Sequence, residues 1–265
     1  VQFALPVAGD NDIQIINNLR DQVQSLKDMW TGRTPAGIPM VPDELTEAAF
    51  YGREDVATLL DEGKVPLGLD LETVEPVTWE LKKGNLLYLT DKEEQMIQFV
   101  KQIAHSKQKV IVLAPAYNEL PEMEGVTILS TKEDYVAGIK KMEENIQLRL
   151  EQQKSQHEAT IVLYNQLELM NDLSMDLQSS LNYVLEKGAR AGYATVAMSG
   201  SQLNRKIDEV SKSIKLYKQV IVAMRITDQS VLNVINRPVR EEPLDSQVNY
   251  YVEDGFVRKV KVLMK

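Results

Sequence analysis

The 265-residue chain contains no cysteine and only two histidines. Without cysteine there can be no disulfide bond, no thiolate-bound zinc or iron–sulfur cluster, and no cysteine nucleophile. His105 and His157 lie far apart in the sequence, so we expect two residues at the surface or at helix ends rather than a metal site or a proton relay. No hydrophobic run approaches the roughly 18 residues of a membrane-spanning helix. These absences exclude thiol chemistry, thiolate metal sites and a membrane span.

Basic charge is also scarce, because 30 Lys and Arg residues face 39 Asp and Glu residues, for a net charge of −9. Proteins bind phosphate backbones mainly through Lys and Arg, so we expect no nucleic-acid partner. The opening residues show no signal-peptide pattern, and we expect a piece of a longer protein. Hydrophobic residues make up 43% of the chain and charged residues 26%, which is typical of a globular domain.

The first part of the chain has a helical pattern. Apolar residues recur at spacings of three and four from Ile13 to Leu26, which predicts a helix that ends before Thr31. Pro39 and Pro42 predict an extended stretch, and a short helix is expected over about 43–51. We therefore predict an N-terminal helical and extended linker, with residues 1–35 as the helical linker and one domain over residues 36–265.

The rest of the chain alternates between short apolar runs and helical segments. Predicted strands cover 77–81, 85–89, 110–114, 126–129, 160–164, 194–199 and 219–224, and predicted helices cover about 91–105, 133–158 and 175–189. Ser130 and Glu133 suggest a capping box for the second of these helices. Asp254-Gly255 predicts the turn of a final hairpin. This alternation predicts an α/β fold with a mainly parallel central sheet flanked by helices.

The strand at 85–89 runs directly into a helix, and such junctions often carry the phosphate-binding pattern G-x-x-x-x-G-K-[ST]. Laid on this sequence, the four motif positions are Thr90, Gln95, Met96 and Ile97. Thr90 and Gln95 carry side chains where glycine is needed for the backbone to approach phosphates. Met96 has no charge, and Ile97 has no hydroxyl for magnesium. None of the four residues suits phosphate binding.

Acidic residues stand where a phosphate would lie. Asp91 and Glu94 predict a capping box, with Glu93 in the same first helical turn. Each carboxylate near a helix N-terminus stabilises the helix by about 0.3–1 kcal/mol and repels an incoming anion. The local residues leave two interpretations open: a well-capped helix that was never a phosphate loop, or a phosphate loop that has lost its motif.

Several sequence blocks, in order, resemble the FtsK/SpoIIIE-type ATPase domains of type VII secretion coupling proteins, the EssC/EccC family. The matching blocks are residues 37–46, 65–70, 74–77, 85–89, 160–165, 188–192, 195–198, 224–231 and 254–255. The degenerate motifs best resemble the last, C-terminal ATPase domain of such chains. The resemblance covers most of the chain from about residue 36 and implies a RecA-like P-loop NTPase fold.

The resemblance also assigns the motif positions. It places the Walker A motif at Thr90, Gln95, Met96 and Ile97. It places the end of the Walker B strand at Tyr164 and Asn165, where relatives carry acidic residues. The sensor-like segment 198–201 lacks the Gln and Arg of DNA-translocating relatives. We therefore expect no catalytic residue and no metal site, and we expect weak or absent binding of the ATP and magnesium that the family implies.

In function, the resemblance implies a cytosolic C-terminal domain of a membrane-anchored coupling ATPase, at the cytoplasmic face of the bacterial membrane. Such a domain would recognise secreted effector proteins of the small helical Esx type and help transfer them to the export channel. Its further partners would be neighbouring ATPase domains of the same chain and other subunits of the secretion machinery. The first alternative is an active ATP-hydrolysing motor that drives protein export. The second, which has less support, is a DNA translocase.

Overall fold

The computed structural model describes residues 7–32, 40–118, 120–232, 234–235 and 240–263. The chain divides into two compact units, Val1–Pro39 and Met40–Lys265. The boundary predicted between residues 35 and 36 lies outside the described residues, as does the first part of the predicted extended stretch. The first unit contains α1 (Asp12–Met29), whose first turn is capped by the Asn11 side chain, which accepts from the Gln14 amide. The helix predicted from the apolar spacing is therefore present.

In the second unit, the described residues form a sheet of ten strands and seven α-helices. In chain order, its elements are α2 (Glu47–Tyr51), α3 (Glu54–Asp61), β1 (Val65–Asp70), β2 (Pro76–Trp79), β3 (Leu86–Leu89), α4 (Glu93–His105), β4 (Val110–Leu113), β5 (Val126–Leu129), α5 (Lys132–Glu151), β6 (Ala159–Leu163), α6 (Gln166–Asp172), α7 (Met175–Lys187), β7 (Tyr193–Ser199), α8 (Glu209–Ile214), β8 (Gln219–Val222), β9 (Val248–Glu253) and β10 (Phe256–Lys261).

The strands follow the order β2-β1-β10-β9-β8-β3-β7-β6-β4-β5. All pairings from β8 to β5 are parallel, whereas β9, β10, β1 and β2 pair antiparallel. The mainly parallel α/β fold predicted from the sequence is confirmed. β3 lies between β7 and β8, while the next strand in sequence, β4, lies beyond β7 and β6. The order of the strands thus reverses beside β3, and in open α/β sheets such a point forms a ligand crevice at the carboxyl ends of the strands.

Two apolar clusters cover the two faces of this sheet. Leu87 and Leu89 of β3 belong to the cluster with α5, α7 and α8, and Leu86 and Tyr88 belong to the cluster with α4. Successive side chains of a strand point to opposite faces. The unbroken apolar run of β3 therefore reflects a strand that is buried on both sides.

The structure corrects several predicted boundaries. The helix α5 ends at Glu151 rather than 158, because Gln153 takes a left-handed backbone (φ +53°) and Arg149 forms an ion pair with Glu158 (2.8 Å) that returns the chain to β6. Its capping box consists of Thr131 and Asp134, one residue later than predicted. α3, α6 and α8 were not predicted, since each is too short to show a clear helical period.

The C-terminal hairpin forms as predicted. β9 and β10 pair in register from Phe256 with Glu253 to Lys261 with Val248. The turn residues Asp254 and Gly255 both have positive φ, +49° and +86°. A two-residue turn with two positive φ angles matches the right-handed twist of the strands that it joins.

Replacing Gly192 by alanine should destabilise the domain far more than replacing Gly63. Both glycines have positive φ (+86° and +72°), but only a Cβ at Gly192 would collide with a backbone atom, the carbonyl oxygen of Gln156. At Gly63 the nearest atom, Gln108 Nε2, lies 3.8 Å away. Left-handed backbone alone costs about 1–2 kcal/mol. We expect Gly192→Ala to lower the free energy of unfolding by at least about 2 kcal/mol more than Gly63→Ala in chemical denaturation. Equal losses would contradict this packing.

Candidate functional site

The turn between β3 and α4 is short and is held from both sides. Leu89 ends β3 and Glu93 begins α4, so three residues connect them. On the side of β7 the Thr90 amide donates to the Ser199 carbonyl (3.0 Å), and on the side of β8 the Ala223 amide donates to the Leu89 carbonyl (2.8 Å). The turn therefore sits at the carboxyl edge of the parallel strands, where the strand order reverses.

The first two motif positions bind each other. Thr90 is fully buried. Its hydroxyl donates to Gln95 Oε1 (2.5 Å) and accepts from the Lys92 amide (3.1 Å). A phosphate loop needs backbone N–H groups that are free to point at the ligand. Here the Lys92 amide already donates to the Thr90 hydroxyl, and that hydroxyl donates to the Gln95 side chain.

The other two positions lie on the helix and face the core. Met96 is 5% exposed and packs in the cluster that covers Leu86 and Tyr88, and the partly buried Ile97 packs against the same cluster. The side chain at the position of the phosphate-binding lysine thus contributes to the hydrophobic core. The structure brings all four positions to one strand–turn–helix junction, where they serve the turn and the packing of α4.

The capping box predicted for Asp91 and Glu94 is wrong. α4 begins at Glu93, and the residue before it, Lys92, makes no side-chain capping bond. The Asp91 carboxylate instead accepts from the Ser201 amide (2.9 Å) and its hydroxyl (3.3 Å). Asp91 therefore ties the turn to the segment after β7. Glu93 and Glu94 do lie in the first helical turn, as predicted.

A side-chain bridge joins the two motif regions. Tyr164, directly after β6, is fully buried, and its hydroxyl donates to Glu93 Oε1 (3.3 Å). The same carboxylate oxygen accepts from Asn118 Nδ2 (2.5 Å). Burial, reinforced by the Glu93 carboxylate, raises the pKa of the Tyr164 phenol well above its ordinary range. Tyr164 therefore remains a neutral hydrogen-bond donor at this edge.

The second Walker B position, Asn165, adopts a left-handed conformation (φ +45°, ψ +60°) and precedes α6. Its Nδ2 donates to the hydroxyl of Tyr117 (3.3 Å), an exposed residue of the loop after β4. Partial burial and the carboxylates of Glu168, Glu93 and Asp172 raise the pKa of Tyr117. The Tyr117 hydroxyl therefore lies near several carboxylates.

A chain of buried polar groups begins at Ser199, the last residue of β7. The Ser199 hydroxyl donates to Gln166 Oε1 (3.2 Å), and Gln166 Nε2 donates to Ser211 Oγ (3.1 Å). Gln166 has no exposed surface. This chain connects the sensor-like segment to α6 and α8. Neither Gln166 nor the bridging residues Glu93, Tyr117 and Asn118 could be recognised as a group from the sequence, since each pairs with a residue far along the chain.

These residues do not fit a magnesium-bound nucleoside triphosphate. The amide of Lys92 is occupied, Met96 replaces the ammonium group, and Ile97 replaces the magnesium-binding hydroxyl. The Glu93 carboxylate bonded to Tyr164 brings negative charge to the same edge. Within the described residues, no group of three or more His, Cys, Asp or Glu side chains is arranged to hold a metal ion. Chemically, the edge is a network of hydrogen bonds among its own side chains.

The high pKa of Tyr164 predicts a pH dependence. Folding raises this pKa above the ordinary value of 10.0, so the folded protein keeps a proton that the unfolded chain releases. The contribution of Tyr164 to the free energy of unfolding is intact below pH 10 and falls as the pH rises further. In an ultraviolet titration, each variant lacks the phenolate signal of the tyrosine that it replaces. The signal that Tyr164→Phe lacks should appear in the native chain at a higher pH than the signal that Tyr117→Phe lacks. Coincident signals would refute the buried bridge.

No protein-family model matches the chain. Two curated relatives belong to type VII secretion. The type VII secretion system protein EssC of Staphylococcus aureus (strain MRSA252) is 24% identical over 255 residues, which cover 92% of this chain and 17% of that protein. The ESX secretion system protein YukB of Bacillus subtilis (strain 168) is 26% identical over 297 residues, which cover 98% of this chain and 19% of that protein. The chain thus spans less than a fifth of the length of either relative.

Solved structures agree on the fold. EssC (ATPases 2 and 3) from Geobacillus thermodenitrificans superposes with a TM-score of 0.79 at 19% identity, over 98% of this chain and 52% of that chain. Thermomonospora curvata EccC (ATPases 2 and 3), in complex with a signal sequence peptide, gives a TM-score of 0.65 at 15% identity, over 97% of this chain and 50% of that chain.

In the part of the chain that the structure describes, no helix has the length and apolar character to cross a bilayer. The homologues of this chain include the EssC, EccC and YukB proteins of type VII secretion systems, and its fold is that of ATPases 2 and 3 of EssC and EccC.

Proposed function

We propose that this domain serves a type VII secretion coupling protein as a recognition domain for secreted proteins and does not itself hydrolyse ATP. The observation that carries the proposal is the β3–α4 turn, where the chain's own side chains take the positions of the nucleotide-binding groups. Thr90 binds Gln95, Met96 enters the core, and Glu93 is held by Tyr164 and Asn118.

The loss of activity follows from what phosphoryl transfer requires. The reaction depends on positioning and on electrostatic stabilisation of the phosphates by a lysine, backbone amides and magnesium. At the corresponding positions this chain offers the methyl thioether of Met96, an occupied amide at Lys92 and the neutral phenol of Tyr164. A diverged enzyme could lose one of these groups, but the loss of all of them leaves little stabilisation of the transition state.

The proposed partners follow from the relatives. One structural neighbour, a Thermomonospora curvata EccC chain with ATPases 2 and 3, was solved with a signal sequence peptide. We infer that this domain likewise takes part in recognising secreted proteins, specifically small helical effectors of the Esx type. Neighbouring ATPase domains of a longer chain and other secretion subunits complete the set of proposed partners. The setting would be the cytoplasmic face of the bacterial membrane.

The competing function is an active motor that drives export. The fold favours it, since a solved structure with the same fold is EssC (ATPases 2 and 3) from Geobacillus thermodenitrificans. The four residues at the Walker A positions oppose it. A DNA translocase has less support, because the net charge of −9 provides little attraction for a phosphate backbone.

The purified chain should neither bind nor hydrolyse ATP. A micromolar site at a thousandfold excess of ATP and magnesium would stabilise the fold by about 4 kcal/mol, so we expect no shift in thermal midpoint and no heat in isothermal titration. The comparison variant carries Gln95→Gly, Met96→Lys and Ile97→Thr. Faster hydrolysis by the native chain than by this variant, or micromolar binding with turnover, would disprove the proposed inactivity.

Within the full-length coupling protein, removal of residues 40–265 should abolish export of the secreted effectors while their synthesis continues. Tyr164→Phe in the same protein is the matched control, because recognition requires no chemistry at this edge and export should persist. Effector levels in the culture medium and in cells provide the measurement. Unchanged export after the deletion would rule out a role in recognition.

A further inference from the structure

The helix α1 carries a row of apolar side chains that is open to solvent. None of the residues of α1 is buried. The row consists of side chains that are between 38% and 62% exposed: Ile16, Leu19, Val23, Leu26 and, directly after the helix, Trp30. Single exposed apolar residues are ordinary, but a contiguous row of them marks an interaction surface. At 1.5 Å per residue, this row is about 20 Å long.

The spacing within the row is that of a coiled coil. The five residues are separated by three, four, three and four positions, so they occupy the a and d positions of a heptad repeat. A helix that covers a globular core usually has a wider apolar stripe. Here Arg20, Gln22 and Lys27 flank the middle of the row, and the outer face is polar: Asn17, Asn18, Asp21, Gln24, Ser25 and Asp28.

Other apolar residues of α1 lie at its ends. Ile15 is partly covered by the turn before the helix, where its side chain approaches Gly9. Ile13 and Met29 are exposed and widen the row only at its two ends. The middle of the helix therefore presents a narrow seam.

The residue types in the seam select a partner. Ile16 and Val23, at the a positions, are branched at Cβ, and leucine occupies both d positions, Leu19 and Leu26. β-Branched residues at a with leucine at d favour two parallel strands. In a parallel pair in register, each seam residue meets the same residue of the other helix. A second copy of this chain thus supplies the matching seam.

The charges beside the seam favour the same arrangement. Arg20 and Lys27 both lie on one flank, at the e positions, whereas the opposite flank carries the uncharged Ile15 and Gln22 at the g positions. In an antiparallel pair of copies the two basic flanks would face each other and repel. In a parallel pair each basic flank faces the uncharged flank of the other copy. Repulsion therefore opposes only the antiparallel arrangement.

We propose that α1 pairs with α1 of a second copy of this chain in a parallel, two-stranded coiled coil along the seam from Ile16 to Trp30. The seam spans two heptads, fewer than the three to four that mark a long coiled coil, so the dimer is weak and depends on concentration. It strengthens wherever two copies are already held close together. The contact involves neither the β3–α4 turn nor the recognition of secreted proteins, so this proposal and the proposed function can fail independently.

Sedimentation equilibrium of the native 265-residue chain measures the association. The average mass should rise reversibly from the monomer value of 30.0 kDa towards twice that value. We expect a dissociation constant of about 100 µM or below. A chain that stays monomeric at about 500 µM, five times that value, would overturn the proposal.

Two neighbouring substitutions assign the contact to the seam. Val23→Asp places a charge in the seam and should weaken the dimer at least about tenfold. Gln24→Asp is the matched control, because it introduces the same residue one position along, on the outer face, at a similar cost in helix propensity. Circular dichroism checks that both variants fold. Equal weakening by both variants, or an unchanged dimer in Val23→Asp, would contradict the seam.

A single introduced cysteine reports the orientation, since the native chain has none. A parallel pair brings the two thiols of Ile16→Cys side by side, whereas an antiparallel pair centred on Val23 separates them by about 20 Å. A disulfide requires Cα atoms within about 7 Å. Mild oxidation should therefore link Ile16→Cys into a covalent dimer and leave Asn17→Cys, on the outer face, largely unlinked. Failure of Ile16→Cys to link, or equal linking of both variants, would overturn the parallel arrangement.

Discussion

The double burial of β3 is the constraint on which the rest of this domain depends. The strand is covered by helices on both faces and paired with β7 and β8 on both edges. Its end is equally fixed, because Leu89 and Thr90 are bonded to the strands on either side. The residues that follow therefore have little freedom. In an ATPase of this fold, the fixed end of this strand positions the phosphate loop. In this chain, it positions a compact turn in which the Thr90 and Gln95 side chains bond to each other.

Much of the fold could be predicted from the sequence because its signals are local. Continuous apolar runs identify strands buried on both faces, and Asp254-Gly255 identifies a hairpin by its backbone requirement alone. The boundaries of the helices and strands were harder to predict from the sequence. The end of α5, for example, depends on an ion pair between Arg149 and Glu158 that forms only in the folded chain. Short helices such as α3 and α6 gain their stability from packing rather than from their own pattern.

The candidate site could be predicted only in part. Alignment of the motif placed Thr90, Gln95, Met96 and Ile97 at one junction. The spacing of Asp91 and Glu94 gave the wrong role to Asp91, which binds Ser201 rather than capping α4. The bridge from Tyr164 to Glu93 joins residues 71 positions apart. No local pattern encodes such a contact.

The bond between Tyr164 and Glu93 has a consequence for the carboxyl edge of the sheet. Tyr164 directly follows β6, and Glu93 lies in the first turn of α4. Their hydrogen bond links these two segments across the carboxyl edge of the sheet. The position of α4 relative to the end of β6 is therefore fixed by the chain's own side chains, not only by the backbone of the sheet.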